Sequence, residues 1–287
     1  MRILYLSLER NLELEDSHVI KYLDYHDLHE KGLSAILDEI AAFRPDLLLE
    51  REFNDGVSLY TDLVAWVRAN LPNCVRAVWL IDTHVAYLRH KDYAPLFDFC
   101  FLAISQFADE FKGYTQAFWL PLCYPQRSDR IKRNKGRVKH DIVFVGRWGG
   151  FFKERSRYVE YLQSHYGKRF HAITDYEHME DIIRNSIVSF NCSLGDDLNF
   201  RVFETLANGV ELVTNPVPDL YKIEGLIPRI NLYHNEEELT KAIDNILSGA
   251  LEKETIKNQL WTQRYHCLIH RHQSILRMID SGKQEEF

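Results

Sequence analysis

Asp196, Asp197, Asn199, Arg201 and Glu204 crowd one short stretch of this chain. Before them an apolar run, Ser186 to Phe190, ends in a polar loop that contains Gly195. After them come a helical pattern from Asn199 to Asn208, Gly209, and a second apolar run from Val210 to Val213. Strand, loop, helix, strand is the unit that builds parallel sheets. Ligands of open parallel sheets bind just beyond the carboxyl ends of the strands, where this cluster falls. The start of the helix adds backbone N–H groups and a partial positive charge, which suit a phosphate.

Two further groups carry chemistry. Asp141-Ile-Val-Phe-Val-Gly-Arg-Trp-Gly-Gly150 is a strand that runs into a glycine-rich turn, where backbone N–H groups approach a phosphate unobstructed by a Cβ. Gly146 and Arg147 lead this group, and Arg155 or Arg157 further along offers a guanidinium fork for phosphate oxygens. The turn is neither a GxGxxG fingerprint nor a GxxxxGK[ST] loop, so NAD and ATP lose support. Asp82 and His84 follow the apolar run Arg76 to Ile81, at a strand end where a base or a hydroxyl-binding pair belongs. Equally, Asp82 would cap the next helix, with His84 in its first turn. Glu50-Arg51-Glu52 is a weaker group of the same kind and reads as a surface salt-bridge cluster.

Asp196 and Glu204 form an acidic-x7-acidic pattern, and Asn199-x-Arg201-x-Phe203-Glu204-x-x-Ala207-x-Gly209 surrounds the second acid. This resembles the donor-binding signature of nucleotide-sugar glycosyltransferases with the GT-B fold, and is most similar to the branch that includes the spore-maturation CgeB-like proteins. The resemblance is strongest from about residue 138 to 275; in the first half it rests on Trp79-Leu-Ile-Asp82 and Trp119-Leu-Pro121. It implies two Rossmann-like domains with parallel sheets facing a central cleft. It also implies that Glu204 holds the nucleotide ribose and that Asp196 lies near the transferred sugar. The first acid is Asp where Glu is commoner, and Asp197 beside it is an alternative. The glycine turn at Gly146 and Arg147 would face the diphosphate, and Asn199 and Arg201 the phosphate or the sugar.

The elements that must position these groups alternate. Strand patterns at Ile3–Ser7, Asp46–Leu49, Arg76–Ile81, Phe97–Ala103 and Ala117–Leu120 are interleaved with helical patterns at Leu28–Phe43 and Val57–Ala69. Pro121 and Pro125 break the pattern. It begins again with strand Asp141–Val145, helix Lys153–Ser164, strand Phe170–Ile173, helix Glu177–Arg184 and strand Ile187–Phe190. Beyond the motif come a strand near Arg229–Leu232, helix Glu236–Leu247 and a largely helical segment from Glu252 to Ile279. The expected organisation is an acceptor domain over 1–125, a basic linker over 126–140, a donor domain over 141–255, and a terminal helix over 256–287 that crosses back to the first domain.

Composition narrows the class. At 287 residues the chain exceeds the usual single domain, and 46% hydrophobic with 13% aromatic residues supports packed cores. A net charge of −7 gives no general attraction to nucleic acid or anionic lipid, although Arg127 to Lys139 is locally basic. The five cysteines, an odd number with no CxxC pair, read as packed thiols of a reducing cytoplasm. No apolar stretch approaches the ~20 residues that span a bilayer. There is no Asp-x-Asp clamp, HExxH, Cys-His zinc pattern or GxSxG elbow, so neither a metal nor a cofactor is expected.

The resemblance and the residues together predict a metal-independent glycosyltransferase. A nucleotide-diphosphate sugar would be the donor, and the acceptor a glycan, protein or small molecule approaching past Asp82 and His84. The acidic-x7-acidic pattern favours retention. The alternatives are a nucleotide-sugar epimerase of the same fold, which needs no acceptor, and a catalytically silent sugar-nucleotide-binding protein. The sequence leaves donor, acceptor and oligomeric state open.

Overall fold

The computed structural model describes residues 1–7, 12, 14, 17–52, 57–125, 138–174, 176–249 and 254–287. It divides into two compact units, Met1–Pro121 with Ile269–Glu286, and Leu122–Leu268 with Phe287. The basic segment expected as a linker falls, from 126 to 137, outside the described residues.

The first unit runs β1 (Arg2–Leu6), β2 (Val19–Leu23), α1 (Tyr25–Lys31), α2 (Leu33–Phe43), β3 (Leu47–Glu52), α3 (Val57–Asn70), β4 (Val75–Leu80), α4 (Thr83–Tyr93), β5 (Phe99–Leu102), α5 (Ser105–Phe111) and β6 (Gln116–Trp119). Its six strands pair in parallel in the order β2-β1-β3-β4-β5-β6. β1, β4 and β5 are nearly continuous apolar runs with both faces buried, as parallel sheets demand. Two sequence expectations change here. The helix expected over Leu28–Phe43 is two helices, because Gly32 takes φ 76° and breaks the ladder. β2 is an additional edge strand whose residues are mostly half-exposed, so no apolar run marks it.

The second unit runs β7 (His140–Val145), α6 (Lys153–Tyr166), β8 (Phe170–Ile173), α7 (Met179–Arg184), β9 (Ser186–Asn191), α8 (Phe200–Ala207), β10 (Glu211–Thr214), β11 (Asn231–Leu232), α9 (Glu236–Leu247) and α10 (Thr255–Tyr265). α11 (Leu268–Ser281) then carries the chain into the first unit. These five strands are also all parallel, in the order β11-β10-β9-β7-β8. Ile142, Phe144, Tyr158, Leu162, Phe190, Tyr233 and Ile243 form the core between sheet and helices. Burying each such side chain contributes about 1.5–3 kcal/mol. α8 buries Val202, Phe203 and Leu206, and Gln259 of α10 donates to the Ala207 carbonyl at 2.8 Å.

Among the described residues no helix is long and apolar enough to cross a membrane. The five cysteines are buried thiols, with no disulfide among the described residues.

Candidate functional site

In the second sheet the chain leaves β7 toward β8 on one side, then returns to place β9 on the other. The crevice beyond the carboxyl ends of β7 and β9 is therefore the topological switch point, where ligands of open α/β sheets bind. A cavity of about 310 Å³ lies there. Val145 and Gly146 from the end of β7, Asn191 from the end of β9, and Asn199, Arg201 and Glu204 from the start of α8 are in its wall. Arg155 and Tyr176 complete the polar lining.

A side-chain amide network sets the floor. Asn191 Nδ2 donates to Ser193 Oγ at 3.1 Å and to Thr214 Oγ1 at 3.0 Å. Asn215 clamps the Ser193 main chain, accepting from its N–H at 2.7 Å and donating to its carbonyl at 3.0 Å. Asn199 Nδ2 then donates to Asn191 Oδ1 and Ser193 Oγ, each at 3.2 Å. Asn199 occupies the N-cap position of α8, yet its side chain makes no capping bond. Its Oδ1 is buried without a partner among the described residues, in the wall of the cavity. An uncompensated buried amide oxygen costs about 1–3 kcal/mol, so a ligand donor is welcome there.

Arg201 and Glu204, one turn apart on α8, pair with each other: Arg201 Nη1 donates to Glu204 Oε2 at 2.7 Å. Both side chains are buried, 10% and 7% exposed, so this is no surface bridge. Burial pushes the Glu204 carboxyl above its ordinary range, Arg201 opposes the shift, and the Glu180 carboxylate adds to it. Arg155 stands in the first turn of α6, where a cation opposes the helix dipole. Its Nε and Nη2 donate to the Cys192 carbonyl and its Nη1 to the Arg147 carbonyl. All three partners are carbonyls, and the guanidinium packs beside the Phe144 and Phe152 rings. Arg155 forms no salt bridge among the described residues, so its charge faces the cavity without a carboxylate to neutralise it.

The glycine turn has a different basis from the one expected. The Gly146 N–H donates to the Ile173 carbonyl at 2.9 Å and the Gly149 N–H to Ser156 Oγ at 2.7 Å, so both amides are committed within the protein. Gly146 is required by packing: a Cβ there would meet Phe144 Cζ at 2.9 Å. Arg147 is exposed and contributes its carbonyl to Arg155, while its side chain is outside the cavity wall. Arg157 turns away to Glu236 and the Tyr158 ring.

Of the acidic residues ahead of α8, Asp196 is exposed and Asp197 buried; neither is in the cavity wall. Gly195 (φ 62°) and Asp196 (φ 60°) are both left-handed and form a tight turn closed by the Asp197 N–H on the Leu194 carbonyl. Asp tolerates this backbone far better than a longer side chain, which gives a local reason for Asp rather than Glu at 196.

In the first unit Asp82 follows β4, the fourth strand once β2 is counted. It holds the N-cap position of α4 with φ 58°, and its side chain makes no capping bond, so ordinary helix capping does not explain it. Left-handed, strained residues of this kind concentrate at functional sites. His84 lies in the first turn, half-buried, with Nδ1 unpartnered among the described residues. Burial holds its imidazole below the ordinary value, against the pull of Asp82. The Glu50–Arg51 pair is the reverse of a surface cluster: Glu50 is fully buried and accepts the Tyr93 hydroxyl at 2.7 Å. In the first sheet it is β1 and β3 that flank the switch point, and Glu50 is in β3.

Sequence reasoning left out Tyr176, Met179, Asn191 and Phe200 as cavity residues and gave Arg155 only a secondary place. Arg155 had a signal, a cation in a first helical turn. Asn191 had one too, an amide closing an apolar strand.

The family described as "Glycosyl transferase-like" matches residues 128–277. No curated protein is significantly similar in sequence. Several solved structures share the fold at low identity. The Anabaena protein Alr3699/HepE, solved with UDP-glucose, superposes with a TM-score of 0.64 at 9% identity, over 98% of this chain and 100% of that one. AviGT4, a glycosyltransferase involved in avilamycin A biosynthesis, gives 0.58 at 11%, over 98% of each. The pneumococcal O-GlcNAc transferase GtfA, solved with UDP and GlcNAc, gives 0.53 at 11%, over 86% of this chain, which spans only 59% of that one. These likenesses identify the GT-B architecture of two parallel-sheet units.

Proposed function

This chain belongs to the family described as glycosyl transferase-like, and we propose that it is a glycosyltransferase that moves a sugar from a nucleotide-diphosphate sugar to an acceptor hydroxyl without a metal ion. The observation that carries the reading is the cavity at the switch point of the second sheet, where Arg155, Asn199, Arg201 and Glu204 meet. In this reading Glu204 accepts the ribose hydroxyls, and Arg155, joined by the exposed Arg147 side chain, balances the diphosphate. Asn199 Oδ1 takes a donor from the ligand, and Asp196 or Asp197 attends the transferred sugar.

Leaving-group charge is then stabilised by a guanidinium already oriented before the reaction, which is electrostatic preorganisation. Arg155 fits that task because its hydrogen bonds fix its position without cancelling its charge. Asp82 and His84 are the acceptor-side groups, with neutral His84 as the base. The acidic-x7-acidic spacing favours retention at the anomeric carbon. UDP sugars are the first donors to test, since HepE and GtfA were each solved with UDP or a UDP sugar bound.

The test is calorimetry with UDP, GDP, dTDP and CMP, followed by mass spectrometry of donor-plus-acceptor mixtures. Binding of one nucleotide diphosphate and a glycosylated product support the reading. Absence of binding to all four overturns it. An altered donor sugar with no acceptor points to an epimerase, and binding without turnover to a silent binder.

A further inference from the structure

Beneath α8 a relay of polar groups, buried at Asn208, Arg184 and Tyr124 and half-buried at Glu180, leads away from the cavity. The Glu204 carbonyl accepts the Asn208 N–H at 3.1 Å and Asn208 Nδ2 at 2.8 Å. Asn208 Oδ1 accepts Arg184 Nε at 3.1 Å. Arg184 Nη2 reaches Glu180 Oε2 at 3.4 Å, and its Nη1 donates to Asp181 Oδ1 at 2.8 Å. The other Glu180 oxygen accepts the Tyr124 hydroxyl at 2.8 Å. Tyr124 is itself fixed, 1% exposed, with its N–H on the His266 carbonyl at 2.8 Å and a parallel bridge to Cys267. Arg184 and Asn208 are 9% and 2% exposed.

We propose that Tyr124, Glu180 and Arg184 are positioning residues for the donor site, holding the last turn of α8, and through it the Glu204 carboxylate, at the height the nucleotide requires. This rests on the nucleotide reading of the cavity. α8 has only eight residues, too few to be stable in isolation, so its geometry depends on what grips its ends. Its first turn carries the Arg201–Glu204 pair. Its last turn closes in a Schellman motif, with the Gly209 N–H on the Leu206 carbonyl at 3.0 Å, the Val210 N–H on the Thr205 carbonyl at 3.3 Å and Gly209 at φ 65°; the Asn208 side chain, oriented by Arg184, adds a further grip on the Glu204 carbonyl.

The relay also connects to Glu204 electrically. The charged and titratable groups around that carboxyl are Arg201 on α8, Glu180 and Arg184 on α7, Arg155 on α6, Tyr176 at the cavity, and His266, which stacks on Phe203. Of these, Glu180 is the one whose charge raises the Glu204 carboxyl. A salt bridge between Glu180 and Arg184 with no hold on α8 would leave nucleotide affinity unchanged in Tyr124→Phe, which removes a hydrogen bond and no charge.

Tyr124→Phe keeps the ring and removes only the hydroxyl; Glu180→Gln removes the like charge; Arg184→Lys removes the Nε contact to Asn208. Calorimetry with UDP across pH is the experiment. Tyr124→Phe and Arg184→Lys should each raise the UDP Kd three- to tenfold, and Glu180→Gln should move the acid limb of binding to lower pH. In a Glu204→Gln background these effects should largely vanish, the non-additivity of residues acting through one group. Full additivity, or unchanged affinity and limb in all three variants, overturns the proposal. If Arg184→Lys does not fold, the isosteric Tyr124→Phe and Glu180→Gln decide. If the parent binds no nucleotide the functional reading fails separately, and carbon-13 NMR of the Glu204 carboxyl replaces calorimetry. A midpoint that moves in Tyr124→Phe, which removes a hydrogen bond and no charge, supports the relay, and an unmoved one overturns it.

Discussion

Arg155 straddles the Cys192 carbonyl, with Nε at 3.0 Å and Nη2 at 2.8 Å, tying the start of α6 to the loop after β9. A lysine has no fork and cannot span one oxygen in this way. Arg155→Lys should therefore keep the charge but lose its placement, lowering kcat/KM by about 1.5–3 kcal/mol, the range for a charge-assisted bond. Steady-state kinetics with the donor found in the nucleotide screen checks this. Activity equal to the parent would leave Arg155 a structural clasp.

Glu204→Gln should act on both binding and folding. The ribose loses a charged acceptor, weakening nucleotide binding by about 1.5–3 kcal/mol. Arg201, buried beside it, loses its counter-charge, so stability should also fall, by about 1–3 kcal/mol. Calorimetry and thermal unfolding of the same preparation separate the two. Unchanged affinity in a folded protein would remove Glu204 from the ribose.

Gly146→Ala brings a methyl to 2.9 Å from the Phe144 ring. Overpacking of this size costs about 1–3 kcal/mol. Phe144→Leu in the same chain should recover part of the loss, because the ring is what the methyl strikes. Denaturant melts of the single and double variants test it; a double variant no better than the sum of its parts would place the clash elsewhere.

The His84 imidazole is held below its ordinary value of 6.5. A base must be neutral to take a proton, so transfer should be level through neutral pH and fall only as pH drops below that value. Asp82→Asn removes the charge that resists the shift, moving the acid limb lower still. The double replacement of Asp82 and His84 by Ala should abolish transfer and leave nucleotide affinity within a few-fold. A pH–rate profile whose limb ignores Asp82→Asn would retire His84 as the base.

Transfer or donor hydrolysis should survive excess EDTA, since Arg155 is positioned to supply the charge a metal would bring. Loss of activity with EDTA and its return with manganese or magnesium would overturn the metal-free reading.

Periodicity alone was enough for most of the second unit. The strand Phe170–Ile173 and the helix Glu236–Leu247 are read from the chain with the bounds the structure has, because buried parallel strands and amphipathic helices leave strong local patterns. The motif around Glu204 was legible for the same reason: its residues are neighbours on one helix and one loop. β2 was not, since an edge strand that is half-exposed carries no apolar run. Nor could the sequence say which polar residues share one cavity. Arg155, Asn191 and Glu204 are far apart in the chain and meet only because the strand order puts β9 beside β7. The same holds for the Gly146 amide and for Glu50: whether a donor is committed or a carboxylate buried depends on partners brought by other strands and helices, such as Ile173 and Tyr93. Local spacing determines which elements form, while burial and hydrogen bonding are properties of the packed neighbours, which only the tertiary structure supplies.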